Sequence, residues 1–97
     1  MLWAWPGSSI LGGTPTYTAQ IHLYRVSGSG NCEANLYDAT NSLEWCTTGN
    51  VTSTTDTNIA ECTSVTNVAT GVALMQVRVS ADAAAFCGMG AIVVTAE

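Results

Sequence analysis

The chain has 97 residues, of which 47% are hydrophobic and 9% charged, with no lysine, two arginines and a formal net charge of −5. That length supports one domain with one core, and the hydrophobic fraction excludes a disordered chain. Arg25 and Arg78 lie far apart in sequence and cannot form the cationic stripe that displaces phosphate counterions, so nucleic acid is excluded as a partner, and an acidic membrane surface with it.

Residues 1–16 read as an extended N-terminal arm ahead of a sandwich domain at 17–97. Trp3, Trp5, Ile10 and Leu11 are interleaved with Pro6, Gly7, Gly12, Gly13 and Pro15, a mixture that suits no regular helix. Two readings follow. The tryptophans fold back over the domain's own core or pair as an edge strand, or the arm reaches a neighbouring subunit, where large aromatics anchor interfaces at low rotamer cost. The segment has no basic leader and Pro6 and Gly7 break its apolar run, so it does not read as a signal peptide. No run approaches the roughly 18 apolar residues of a membrane span.

Beyond the arm, residues 17–26 alternate cleanly, with Ala19, Ile21 and Leu23 on one face and Thr18, Gln20, His22 and Tyr24 on the other. That is the period of a half-buried strand. After the Ser-Gly loop at 27–31, residues 32–38 put Cys32, Ala34 and Leu36 on one face, and 43–48 resume after turn chemistry to complete a hairpin. Residues 51–55 and 59–66 are Thr-rich and β-branched and predict two more strands. Residues 72–80 form the strongest strand, and 86–96 end in Ile92-Val93-Val94, the run of a buried one. Ala81 to Ala85 allows a helical turn or an Ala-rich loop. Strands recurring about every ten residues between turn signals predict an all-β fold, a single antiparallel β-sandwich or jelly-roll.

Cys32, Cys46, Cys62 and Cys87 are an even set with no close Cys-x-x-Cys pair, so a zinc site is disfavoured. Two disulfides or four buried thiols remain. Four cysteines allow three pairings, among which sequence does not choose; the working expectation joins Cys46 to Cys62 and Cys32 to Cys87, tying the ends of the fold together. Bridges imply an oxidising setting outside the cytoplasm.

Catalytic chemistry needs titratable groups that converge. One histidine (His22) and the carboxylates Glu33, Asp38, Glu44, Asp56, Glu61 and Asp82 show no spacing that singles out a pair. No phosphate loop, metal-binding His motif or nucleophile elbow is present, so neither an enzyme nor a cofactor is predicted. Calcium ligands at Asp56-Thr57-Asn58 or Asp38 with Asn41 fall short of the six to eight oxygens that ion takes. Asn50-Val51-Thr52 is a glycosylation sequon, relevant only to a eukaryotic secretory pathway. Tyr24, Tyr37 and Trp45 are candidates for stacking on sugar rings, so a carbohydrate-binding module is the alternative to an assembly role. Against it, these rings lie within strands, where a core role for Trp45 is the simpler reading.

The run Ala34-Asn35-Leu36-Tyr37-Asp38-Ala39-Thr40-Asn41-Ser42, the Thr-rich strands, then Ala69-Thr70-Gly71-Val72-Ala73-Leu74-Met75-Gln76-Val77-Arg78-Val79 and a final Val93-Val94-Thr95 strand resemble small jelly-roll modules of virion and bacterial surfaces. Phage capsid decoration (cement) proteins are among them. The likeness is one of strand-and-turn cadence over residues 17–96 and transfers no functional residue. It implies an oligomeric structural subunit on a virion or in an extracellular setting, contacting itself or a capsid or fibre protein, with Trp3, Trp5, Ile10 and Leu11 of the arm making contacts. Cytoplasmic assembly of virions sits awkwardly with disulfides, which would then have to form late.

Overall fold

Alternating apolar residues can be buried on one face only if a second layer covers them, and the chain supplies that layer itself. The computed structural model describes residues 2–10, 15–62, 64–82 and 84–96. They form strands β1 (Leu2–Trp5), β2 (Tyr17–Gly28), β3 (Cys32–Asp38), β4 (Leu43–Thr47), β5 (Ile59–Cys62), β6 (Ala73–Ala81) and β7 (Ala85–Ala96). The strands divide into a sheet of order β1-β6-β3-β4 and a sheet of order β5-β2-β7, and every pairing is antiparallel. The fold is an all-β sandwich. A jelly roll has eight strands; the described residues form seven.

The core follows the sequence periods. Ala19, Ile21 and Leu23 of β2, Cys32, Ala34 and Leu36 of β3, and Ala73, Met75 and Val77 of β6 all point inward and are buried. Each large aliphatic side chain among them contributes about 1.5–3 kcal/mol through burial. Trp45 of β4 lies at the centre, only 1% exposed, with Trp5 of β1 edge-on to it at 5.3 Å between ring centroids.

The β2–β7 pair runs its whole length, from Tyr17 opposite Ala96 to Gly28 opposite Ala85, with register shifts between Ile21 and Leu23 and between Arg25 and Ser27. Twelve residues at about 3.4 Å each span about 40 Å, which accounts for the 44 Å long axis of the molecule.

Several sequence expectations change in three dimensions. Leu2–Trp5 is no separate arm: it pairs with β6 from Leu2–Gln76 to Trp5–Ala73, so the edge-strand reading holds for these residues. Residues 51–55 form no strand. Val51 makes an isolated bridge to Cys32, and the segment then lies along β2, where Ser53 O accepts from Arg25 N and Asn58 O from Leu23 N. The Thr-rich run thus satisfies β2 with irregular backbone, because the Asp56–Asn58 turn interrupts any regular ladder. The strand predicted at 59–66 stops at Cys62. Ser64 and Asn67 adopt positive φ (55° and 61°), and the chain swings over to β4, giving Thr66 N to Trp45 O at 2.8 Å. Ile92-Val93-Val94 is not fully buried: Val93 is 55% exposed, because it pairs with Gln20 on the outer face of the sheet while Ile92 and Val94 pair with the buried Ile21 and Ala19. Between β6 and β7, Asp82 accepts Asn31 N and Ala84 N through its carboxylate and Ala85 N through its carbonyl, while Ala83 lies outside the described residues.

Both disulfides follow the expected pairing, and both cross between the sheets. Cys32–Cys87 joins β3 to β7 over a sequence separation of 55, and Cys46–Cys62 joins β4 to β5 over 16. Constraint of the unfolded chain makes the longer loop worth about 4 kcal/mol and the shorter about 3 kcal/mol in the chain-entropy model. Replacing Cys32 and Cys87 together by Ala is therefore expected to cost more stability than replacing Cys46 and Cys62. Urea unfolding of the two double variants, side by side, checks the order.

Candidate functional site

The two sides of the sandwich are finished differently. On one side the edge strands are β4 and β5, both short and each bearing a carboxylate, Glu44 and Glu61. Cys46–Cys62 ties them together, while Thr66 N and Asn67 Nδ2 donate to the carbonyls of Trp45 and Glu44. Short length, charge and covering backbone are the usual protections of a sheet edge.

The opposite side has β1 and β7 as its edges. Neither contains a charged residue or a proline. Among the described residues, nothing hydrogen-bonds to the outer edge of β7 from Phe86 to Ala96. Between the two edges lies an apolar groove of about 600 Å³, lined by Leu2, Trp3, Trp5, Pro6, Ala91, Ile92 and Val94.

The groove's floor is fixed by Trp5. Its Nε1 donates to Ala69 O at 2.8 Å, and its ring meets Trp45 and Tyr17 edge-on. Ser8 N donates to the same Ala69 carbonyl at 2.9 Å, and Ser9 N to Thr70 O. Gly7, at φ 107°, lets the backbone pass so close to Thr70 and Gly71 that a Cβ there would strike them. Leu2 and Trp3 continue toward the rim: Leu2 is 62% exposed, whereas Trp3 is half-buried and packs against the core.

Of the residues singled out for the arm, Trp3 lines the groove and Trp5 is buried beneath it, so Trp5 is a core residue and not a free contact. Ile10 ends a single 3₁₀ turn, Ser8–Ile10; its side chain and Leu11 lie outside the described residues.

The proposed sugar-stacking rings are not brought together. Trp45 is buried in the core, so no ligand stacks on it, and the core reading holds. Tyr37 lies on the outer face of the four-stranded sheet beneath the Arg78 guanidinium, 3.5 Å from its ring centroid, with Arg78 Nε held by Gln76 Oε1. One face of that ring is already taken by a cation–π contact. Tyr24 is on the outer face of the other sheet, stacked on His22 at 5.4 Å. The two rings lie over Gly88 and Gly90 of β7, and His22 Nε2 contacts Asp56 O. Aromatic side chains covering neighbouring strand glycines compensate for the missing side chains there.

The oxygen-rich candidates also find structural roles. Both carboxylate oxygens of the buried Asp38 are engaged by Asn41, through its backbone N and its Nδ2, which fixes the turn between β3 and β4. Among the described residues no three His, Cys, Asp or Glu side chains come together as a metal site would require, and no helix is long and apolar enough to cross a membrane. Two disulfides place the folded chain in a non-reducing setting.

No protein-family model, no curated protein and no solved structure matches the chain significantly.

Two variants check these assignments. Trp45→Ala is expected to cost about 3–5 kcal/mol, as large core truncations do, measured by denaturant unfolding. Gly88→Ala is expected to destabilise because its Cβ would overlap the Tyr24 ring. Combining it with Tyr24→Ala should recover much of that loss in a double-mutant cycle, and an additive result would remove the contact from the account.

Proposed function

We propose that this protein is a structural subunit that works by contact and not by catalysis, an assembly module of a virion surface or another extracellular particle. One observation carries the reading: an apolar groove between two unpaired strand edges that have no charge on them. Such edges are normally protected in a free-standing domain, and this molecule protects its other side in several ways at once. The low charge elsewhere agrees, since a surface of Thr, Ser, Asn and Gly repels its neighbours weakly. The resemblance in cadence to capsid decoration proteins points the same way, with contact made by the β1 side in place of a free arm. Disulfides suit a subunit that ends its life outside the cell.

Trp3→Glu tests the proposal, since it puts a charge at the groove while leaving the buried Trp5 and both disulfides in place. The variant is expected to fold, by circular dichroism and non-reducing mass, yet to be lost from the native particle seen by cryo-electron microscopy. Unchanged occupancy of the particle would defeat the proposal. Binding to a glycan array that survives Trp3→Glu and is lost in Tyr24→Ala would instead support the carbohydrate-binding alternative.

A further inference from the structure

We infer that the open side is a homotypic interface, in which β7 pairs antiparallel with β7 of a second copy about a two-fold axis. The inference rests on the assembly reading above and names its partner. β7 is one of the two longest strands, at twelve residues, and it is an edge. From Phe86 to Ala96 its outer backbone N–H and C=O groups have no partner among the described residues, and a second copy of the strand paired about Val93 offers a ladder to its C-terminal part, from Ala91 to Thr95.

Charge decides in favour of a second copy. The chain is acidic overall, with seven carboxylates against two arginines, so two copies repel wherever those groups meet. The described carboxylates lie on β3, β4 and β5 and in the turns at 56 and 82, and none on β1 or β7. The β7 edge is thus a long surface on which two copies can approach without opposing like charges, and it offers no charge that would select an oppositely charged partner. Symmetry agrees. A two-fold axis that sets Val93 opposite its own copy pairs Ile92 with Val94, so strand faces stay in phase on the C-terminal side of the register shift between Met89 and Ile92. Ile92 and Val94, which face the groove, then meet the same face of the partner, and the exposed Val93 meets the other. The result is one continuous six-stranded sheet, β5-β2-β7 followed by its symmetry mate, with the groove of each copy bordering the joint. An isologous contact of this kind closes on itself and yields a dimer and not a fibre.

Sedimentation equilibrium of the full, oxidised chain tests this over a range of concentrations. The expected wild-type mass is about twice the 10.0 kDa of one chain. Val93→Lys places two like charges side by side across the axis, which is expected to weaken the dimer at least about tenfold. Thr95→Lys, also on the exposed face of β7, serves as the second variant if Val93→Lys fails to fold. Ile59→Lys on the protected side, where Ile59 is 56% exposed, is expected to leave the dimer unchanged. Hydrogen exchange should also slow at alternate amides of β7 as the dimer forms. A wild-type chain that stays monomeric, or a dimer that Ile59→Lys breaks and the β7 variants do not, overturns the inference. The two readings fail separately. A monomer whose Val93→Lys variant is lost from the particle overturns self-pairing and leaves assembly through a different chain standing. A monomer whose β7 and Trp3 variants all keep their place on the particle overturns both.

Discussion

Cys32–Cys87 and Cys46–Cys62 each join a strand of one sheet to a strand of the other, and a core this thin needs those links. A domain of this size buries a smaller share of its surface than a large one, so its margin of stability is narrow. The large aromatics Trp5 and Trp45 and a few aliphatic residues fill the space between the sheets. The disulfides keep the sheets together across that space by limiting what the unfolded chain can explore. They also tie the fold to its setting, since only a non-reducing environment preserves them.

Where the links fall shapes the surface. Cys46–Cys62 closes the β4–β5 side, and the segment after β5 lies along β4 to finish it. Cys32–Cys87 anchors β7 at Cys87, near its start, and leaves the strand beyond it as an edge. Among the described residues the first strand, β1, pairs only with β6, so the sandwich is shut along one side and open along the other. Trp5 anchors the open side: its ring sits in the core while its indole N–H and the nearby Ser8 amide share the Ala69 carbonyl.

This arrangement gives a coherent account of an unusual composition. Charge at the β1 or β7 edge would discourage strand pairing, and the chain places none there. The described carboxylates sit instead on β3, β4 and β5 and in turns, where Asp38 and Asp82 hold backbone in place. Arg78 is likewise engaged locally, lying over Tyr37. The rings that suggested sugar binding serve the fold in the same way: Trp45 as core, Tyr24 and His22 as cover for the glycines of β7.

Much of this was legible in the sequence wherever a local period decided it. The inward faces of β2 and β3 follow from alternation at Ala19, Ile21 and Leu23 and at Cys32, Ala34 and Leu36, because burial on one face requires period two. The β3–β4 hairpin follows from its turn residues. Nonlocal facts were out of reach. Ile92-Val93-Val94 has the composition of a central strand, yet among the described residues β7 has a neighbour on one side alone, and composition carries no information about sheet order. The Thr-rich segment at 51–55 has strand propensity, yet its backbone partners on β2 are met irregularly because a turn follows at once. Leu2–Trp5 looks like a loose arm until β6, some seventy residues later, supplies its ladder. By itself, then, the sequence determined an all-β chain with defined inner faces, low charge and cysteines suited to cross-linking. Only the tertiary structure decided which strands became edges and which side stayed open, because that depends on pairing between segments distant in the chain.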